Sequence, residues 1–244
     1  MITPKQIERV TMTPEKKAMA HNDYFAFYIG RPISYVLTIP FLYTRLTPNQ
    51  VTVMSIIPLI VGFILMYVGT STRTFLCGWF CFFLWNLLDG VDGNIARFRK
   101  QFSRMGSVWD AMVGYIAMVL SPFAWGIAAA HVEDGIISNL FPLNPDIYII
   151  LGALSGIYVI FPRFIMHKTM TTLGLEENVP SVKDKDHYSP LKIIGLNLIS
   201  VTGFMQVIML ISIFLNAFDF FTILYFFLNG GVMIASLVSI FKER

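Results

Sequence analysis

The stretch that decides the fold runs from residue 75 to residue 114 and reads FLCGWFCFFLWNLLDGVDGNIARFRKQFSRMGSVWDAMVG. Its first fourteen residues are almost all apolar, and three carboxylates follow them: Asp89, Asp92 and Asp110. An ionised group near hydrocarbon costs about 2.5 to 3.5 kcal/mol on insertion scales, so such groups persist mainly where they hold ions or substrates. The stretch therefore predicts a membrane helix with a chemical site at its end.

The composition of the 244-residue chain indicates that its solvent is a lipid bilayer. Apolar residues make up 55% of the chain and charged residues 14%, with a mean hydropathy of +0.65; an ordinary soluble domain is excluded. A helix needs about 20 residues to cross a bilayer core. The sequence predicts an all-α integral membrane protein with six transmembrane helices, at approximately residues 50–69, 74–93, 107–130, 147–168, 191–215 and 218–241.

The basic residues predict the orientation, because loops kept in the cytoplasm are enriched in Lys and Arg. Seventeen of the eighteen fall on one side of the predicted spans, and only Arg73 falls on the other. We expect both termini and the carboxylates to face the cytoplasm, in a bacterial inner membrane or a plasma membrane. The net charge of +3 reflects this orientation and implies no nucleic-acid partner.

One apolar stretch, residues 32–46, is too short to be a seventh crossing. Its fifteen residues would span only about 22 Å as a helix, and Pro40 interrupts it. We therefore predict a cytoplasmic N-terminus with an interfacial helix over residues 1–46, followed by a six-helix membrane domain over residues 47–244.

Local patterns place the carboxylates on two helices. Thr47 is expected to cap a helix that begins at Pro48. Asp89 and Asp92, three residues apart, share one helix face, and Asp110 lies one turn into the next helix. Oxygen-only ligands suit Mg²⁺ or Mn²⁺, which bind through carboxylates together with substrate phosphates. The alternative is a structural network in which the carboxylates pair with nearby arginines.

These residues resemble the signature of the CDP-alcohol phosphotransferases, D-x2-D-G-x2-A-R-x8-G-x3-D-x3-D. The chain is similar to it in residue type and spacing at Asp89, Asp92, Gly93, Ala96, Arg97, Gly106 and Asp110. The helix start LTPNQVT at residues 46–52 is also similar to that of many members.

The resemblance implies a reaction in which an acceptor hydroxyl attacks the β-phosphorus of a CDP-alcohol and CMP leaves. It implies one or two Mg²⁺ or Mn²⁺ ions on Asp89, Asp92 and Asp110. Nucleotide binding would fall to Gly93, Ala96, Arg97 and Gly106, with Ser103 as a further candidate for a phosphate contact. Family members are often dimeric, so a homodimer is a possible partner arrangement, with membrane lipids around it.

The last position of the signature departs from the family, because Gly114 stands where a fourth aspartate is expected. That aspartate is the expected general base, so the catalytic residue is unknown. Three explanations are open. The chain uses another base, such as His167, Asp23, His21 or a group of the substrate; its donor or acceptor differs, for example a CMP-activated phosphonate; or it binds nucleotide and metal without turnover.

Basic residues near the end of the fourth predicted span are candidates for binding an anionic acceptor. Arg163 and Lys168, which lie near His167, are the candidates for binding the acceptor substrate. The alternative is that their side chains only extend toward lipid headgroups. Small residues in the later spans predict close helix packing or a dimer face: Gly152, Ala153, Ser155, Gly156, Gly230 and Gly231. Cys77 and Cys81 are interpreted as apolar filling.

The functional prediction is a metal-dependent transferase of phospholipid, related lipid or glycan head-group synthesis. Its donor is CDP-linked, and its hydroxyl acceptor is a lipid, a phosphorylated polyol or a glycan. The rival is a membrane protein that binds cytidine nucleotide and metal without turnover. Transport is a third alternative, disfavoured because the carboxylates cluster at one cytoplasmic end and no matching broken helix or repeat appears.

Overall fold

The computed structural model describes residues 2–132, 134–173 and 190–242, and it is helical throughout its regular structure. Its helices are α1 (Pro4–Thr11), α2 (Pro14–His21), α3 (Arg31–Leu42), α4 (Pro48–Met54), α5 (Ile56–Val68), α6 (Thr72–Arg99), α7 (Arg104–His131), α8 (Pro145–Leu173), α9 (Pro190–Ile199), α10 (Phe204–Phe214) and α11 (Phe218–Lys242). A π-helical turn, Ala26–Gly30, runs directly into α3.

The all-α membrane architecture is confirmed. Five helical stretches are long and apolar enough to cross a bilayer: Pro48–Val68, Thr72–Arg99, Arg104–His131, Pro145–Thr172 and Phe218–Lys242. The first joins α4 and α5 across Ser55. Pro58 lies four residues after Met54, and because a proline ring crowds the carbonyl of residue i−4, it accounts for the break between the two helices.

The sixth span differs from the continuous helix predicted for residues 191–215. Ile193–Ile199 and Phe204–Phe214 form a broken pair bent by 56°. The turn between them frees backbone carbonyls, and side chains of α6 donate to two carbonyls of this segment. Trp79 Nε1 bonds the Gln206 carbonyl at 2.9 Å, and Asn86 Nδ2 bonds the Thr202 carbonyl at 3.3 Å. A broken helix is tolerated at membrane depth where protein groups satisfy its backbone in this way.

The stretch predicted as interfacial forms a short helix, as expected. With its π-helical turn it covers Ala26–Leu42, below the length of the five spans. The Arg99 guanidinium holds its C-terminal end by donating to four carbonyls, those of Phe41, Leu42, Thr44 and Leu46, at 2.6 to 3.1 Å. The orientation of this helix relative to a bilayer, and the division at residue 46, stay predictions.

The described chain contains two compact units, each built from separate segments. The first comprises Met1–Gly62, Cys77–Ile116 and Lys185–Gln206. Its core around the signature helix is formed by Val51, Val91 and Ile95, with apolar side chains of α3 and of the 42–46 connection packed against it. This unit contains every residue of the predicted metal and nucleotide sites.

The second unit comprises Phe63–Leu76, Ala117–Asp184 and Val207–Arg244. Here the small residues predicted for close packing serve contacts within the chain. A Cβ on Gly152 would lie 2.7 Å from the Pro122 carbonyl, and one on Gly156 would lie 3.0 Å from Val119. Ser155 accepts a hydrogen bond from Asn229 of α11 at 2.8 Å. Close packing is therefore confirmed at Gly152, Ser155 and Gly156, but not at Gly231, where an added Cβ would meet no heavy atom within 4 Å. The homodimer stays a prediction.

A buried carboxylate fixes the loop between α7 and α8. Asp219 in the first turn of α11 is 1% exposed. Its Oδ2 accepts the backbone amides of Ile137 and Ser138 at 2.7 and 2.9 Å and the Ser138 hydroxyl at 3.1 Å. The helix N-terminus further favours negative charge at this position.

Candidate active site

Asp92 is the most buried of the three carboxylates, with 6% of its surface exposed. Its Oδ2 accepts a hydrogen bond from the Thr52 hydroxyl of α4, and the Gly93 amide also bonds this carboxylate. Thr52 is placed by the helix start predicted from the sequence. Thr47 accepts the Gln50 amide at 3.3 Å, and Gln50 Oε1 accepts the Thr47 amide at 2.9 Å. This capping box confirms the predicted start at Pro48.

Asp89 and Asp110 meet across the α6–α7 connection. Their side chains are in hydrogen-bond contact, with Asp89 half-buried and Asp110 exposed. Two carboxylates at such a separation repel each other unless a proton or a cation lies between them. Asp92 feels the charge of Asp110 but makes its hydrogen bond to Thr52. The structure thus brings the three aspartates into one region and pairs two of them directly.

Arg97 lies against the same helix face. Its guanidinium covers Gly93, where an added Cβ would lie 2.8 Å from one terminal nitrogen and 3.1 Å from the other. The space over Gly93, predicted to accommodate a nucleotide, is therefore filled by Arg97. Arg97 also donates to Asn94 Oδ1 at 3.3 Å.

Asn94 connects Arg97 to α3. It is 3% exposed, and its Nδ2 donates to the Ser34 and Thr38 hydroxyls at 3.3 and 3.1 Å. Gly90 permits this close approach of the two helices, because a Cβ there would lie 2.9 Å from the Ser34 Cβ. The short helix α3 is thereby part of the support for the site.

The connection between α6 and α7 is fixed at both ends. The Ala96 carbonyl accepts the Gln101 amide at 2.8 Å, and Lys100 adopts a left-handed conformation, φ 57°, that ends α6. Ser103 caps α7 by accepting the Gly106 amide at 2.9 Å and is bonded by Asn49 at 3.3 Å. The hydroxyl of Ser103 thus has structural partners, and its predicted phosphate contact stays a prediction, as does nucleotide binding by Ala96 and Gly106.

Gly114 lies one turn beyond Asp110 on α7, at the position where the signature has its last aspartate. A Cβ built there meets no heavy atom within 4 Å. The local backbone and its neighbours therefore leave room for a larger side chain.

The chemistry of these ligands fits a hard cation. Aspartate oxygens are the donors that Mg²⁺ and Mn²⁺ prefer. No group of three or more His, Cys, Asp or Glu side chains in the described part of the chain is already arranged to hold a metal. The paired Asp89 and Asp110 supply part of a ligand set, and substrate oxygens or water would complete it, as is common for Mg²⁺.

The remaining candidates have other surroundings. Arg163, His167 and Lys168 are exposed on the C-terminal half of α8, in the second unit. Arg163 donates to the Val159 carbonyl at 2.5 Å. His21 is bonded to the Tyr28 hydroxyl at 2.9 Å, and Asp23 accepts the Phe27 amide with its carbonyl at 2.7 Å. Acceptor binding and general-base roles for these residues stay predictions.

Three residues of this region were missed by the sequence argument: Thr52, Asn94 and Arg31. Thr52 was noted only as the end of a helix-start pattern, yet it bonds Asp92 from 40 positions away. Asn94 occupies a free position of the signature. Its polar side chain among the signature positions was the one available signal for it.

The similarity to known proteins extends beyond the signature. A family model for CDP-alcohol phosphatidyltransferase matches residues 45–241. No curated protein matches the chain significantly.

Proposed function

This chain belongs to the CDP-alcohol phosphatidyltransferase family, and we propose that it transfers a phospho-alcohol group from a CDP-linked donor to an acceptor hydroxyl, with release of CMP. The family is one of transferases, and the apolar helices make the protein an integral membrane protein. The finer points are part of this proposal: Mg²⁺ or Mn²⁺ dependence, a cytoplasmic active site, and a role in lipid or glycan head-group synthesis.

The arrangement of Asp89, Asp92, Asp110 and Arg97 is the observation that carries the proposal. The three carboxylates supply negative charge and oxygen ligands, and Arg97 supplies a cation beside them. The charges of Asp92, Asp110 and Arg97 act on Asp89, and those of Asp92 and Asp110 act on Arg97. A diphosphate substrate requires both kinds of group, since its oxygens bind to divalent cations and to guanidinium forks.

Each residue has a distinct role in the proposed reaction. Asp89 and Asp110 would hold a divalent cation, which would neutralise the charge of the diphosphate and favour the departure of CMP. Asp92, fixed by Thr52, would add a ligand or orient one. Arg97 would bind a phosphate oxygen, and Asn94 would keep its guanidinium over Gly93.

Gly114 leaves the general base unassigned within this proposal. Loss of a general base typically lowers a rate by about 10² to 10⁴. Turnover therefore requires another group, for which His167, Asp23 and His21 are candidates, or a donor or acceptor that needs no base, such as a CMP-activated phosphonate. The second candidate function, nucleotide and metal binding without turnover, is favoured by this same residue.

The decisive experiment measures CMP release by the purified chain with Mg²⁺ or Mn²⁺, from a panel of CDP-alcohols and CMP-phosphonates with pooled acceptors. We expect acceptor-dependent release that Asp92→Asn abolishes. Asp146→Asn, which changes an exposed carboxylate of the second unit, is the matched control and should leave release unchanged.

Gly114→Asp, assayed in parallel, separates the two candidate functions. Release by the unaltered chain means that Gly114 is compatible with catalysis. Release by Gly114→Asp alone means that the chain is a binding protein that lacks its base. If neither releases CMP and neither binds cytidine nucleotide, the proposed function is wrong.

A further inference from the structure

Arg31, the first residue of α3, has the features of an anion-binding residue. Its Nε is buried and has no hydrogen-bond partner, and the same is true of the Arg97 Nε. These are two of the five such side-chain atoms in the described residues. A buried donor without a partner destabilises the folded state, and more so when it is charged. Two such donors in one region therefore need an explanation.

The two side-chain contacts of Arg31 in the described part of the chain involve no acidic group. Its guanidinium contacts Met12 Sδ at 3.9 Å and the Tyr35 hydroxyl. Burial raises the pKa of Tyr35 above its usual value, so this phenol is neutral at physiological pH. Tyr35 can orient the guanidinium but cannot neutralise it.

The two guanidinium groups act on each other. The charge of Arg31 acts on Arg97, as do the charges of Asp92 and Asp110. The packing of α3 on α6 brings them together, because Ser34, one turn after Arg31, contacts Gly90 and Asn94. Like charges this close in a half-buried region repel each other, and an anion between them removes that repulsion.

We propose that Arg31 and Arg97 form a subsite that binds a phosphate group of the substrate. Both present planar forks of N–H donors, which match phosphate oxygens in pairs. The subsite lies where α3 packs on α6, the helix that carries Asp89 to Arg97 of the signature. The helix α3 thus contributes a binding residue as well as packing. This inference rests on the proposed function for the identity of the substrate, but binding of a phosphate anion can be measured without turnover.

The test is equilibrium binding to the purified full-length chain in detergent, with Mg²⁺, of four probes: inorganic pyrophosphate, CDP, CMP and glycerol 3-phosphate. The variants are Arg31→Gln and Arg31→Lys. Arg9→Gln is the matched control, because Arg9 is an exposed arginine of the same N-terminal segment. Unchanged elution and thermal unfolding would verify that each variant is folded.

We expect Arg31→Gln to weaken pyrophosphate binding by about 10- to 100-fold, as for the loss of a charged hydrogen bond. The affinity of Arg31→Lys for pyrophosphate should lie between those of Arg31→Gln and the unaltered chain. Arg9→Gln should bind pyrophosphate as the unaltered chain does. If Arg31→Gln weakens the binding of CDP and leaves the binding of CMP unchanged, the subsite binds the diphosphate of the donor. If glycerol 3-phosphate is the only organic probe whose binding is weakened, the subsite binds a phosphorylated acceptor.

Equal binding of every probe by Arg31→Gln and the unaltered chain would overturn the subsite. Absence of all binding to the unaltered chain would overturn it together with the proposed function. A third outcome is that the unaltered chain binds pyrophosphate but neither CDP nor CMP, and that Arg31→Gln loses the pyrophosphate binding. This result would support the anion subsite and contradict the cytidine-dependent function.

Discussion

Two glycines of the signature region differ in what surrounds them. Gly93 is covered by the Arg97 guanidinium, whereas the space beside Gly114 is open. We expect Gly93→Ala to displace Arg97 and to lower CMP release, because the methyl group would lie 2.8 Å from a guanidinium nitrogen. Gly114→Ala is the matched control: it should retain activity and stabilise α7 by up to about 1 kcal/mol through helix propensity.

Comparison of CMP release and thermal unfolding in these two variants checks the prediction. Equal activities in Gly93→Ala and Gly114→Ala would mean that the position of Arg97 does not matter to the reaction. A lower unfolding temperature in Gly114→Ala would show that the space beside this glycine is filled.

The hydroxyl of Thr52 is the partner of a buried carboxylate oxygen. Thr52→Val removes this donor from the buried Asp92 carboxylate, so we expect a loss of about 1 to 3 kcal/mol of stability and reduced CMP release. Thr52→Ser keeps the hydroxyl and should retain most of both. The measurements are thermal unfolding and CMP release; a Val variant as stable and active as the Ser variant would contradict the contact.

Local patterns predicted some of these residues and could not predict others. The Thr47 cap follows from three adjacent residue types, and the structure confirms it. The bond from Thr52 to Asp92 depends on how two helices pack, which no spacing encodes. The same holds for Arg31, whose position beside Arg97 follows from the contact of α3 with α6.

At the scale of elements, Arg99 is the main polar tie between α6 and the end of α3. A helix C-terminus leaves carbonyls without partners, and the Arg99 guanidinium satisfies four carbonyls in this segment. We expect Arg99→Gln to destabilise the 42–46 connection by about 1.5 to 3 kcal/mol, the range for hydrogen bonds to charged groups.

Limited trypsin digestion measures this effect, because Arg45 is an exposed cleavage site within the connection. Cleavage after Arg45 should be faster in Arg99→Gln than in the unaltered chain. Lys100→Gln, at the next and exposed position, is the control. Identical cleavage rates in all three proteins would show that Arg99 does not hold the connection.

The broken span shows where apolar length alone fails to predict an element. Residues 191–215 are hydrophobic enough for a single helix, but the Ser200–Gly203 segment forms a turn. Gly203 stabilises the turn by donating to the Ser200 carbonyl at 2.9 Å, and Gln206 Nε2 bonds the Val201 carbonyl at 3.0 Å. These polar residues are the local signal, and the donors from α6 are a tertiary contribution that hydropathy does not include.

At the scale of the whole molecule, composition and span lengths predicted an integral membrane protein. The division into two compact units could not be predicted from the sequence. Each unit combines segments that are far apart in the chain, and helices such as α6 contribute to both. Charge distribution remains the basis for the predicted orientation, with both termini in the cytoplasm.

Single cysteines in a variant lacking Cys77 and Cys81 test that orientation. Asn139→Cys in the α7–α8 loop should react with a membrane-impermeant maleimide in intact cells. Gln101→Cys in the α6–α7 connection should react only after permeabilisation. Both positions are exposed in the structure, so the reverse pattern would mean that the active site faces away from the cytoplasm.

Asp219 bears on how the chain reaches this arrangement during synthesis. Many loops are fastened by a lysine or an arginine, but a basic residue between α7 and α8 would compete with the charge signal that directs insertion. Here an acidic side chain in α11 fastens the loop through backbone amides. In the predicted orientation, anchoring and insertion therefore make no conflicting demands on this segment, because the loop is fastened by an acid and contains no lysine or arginine.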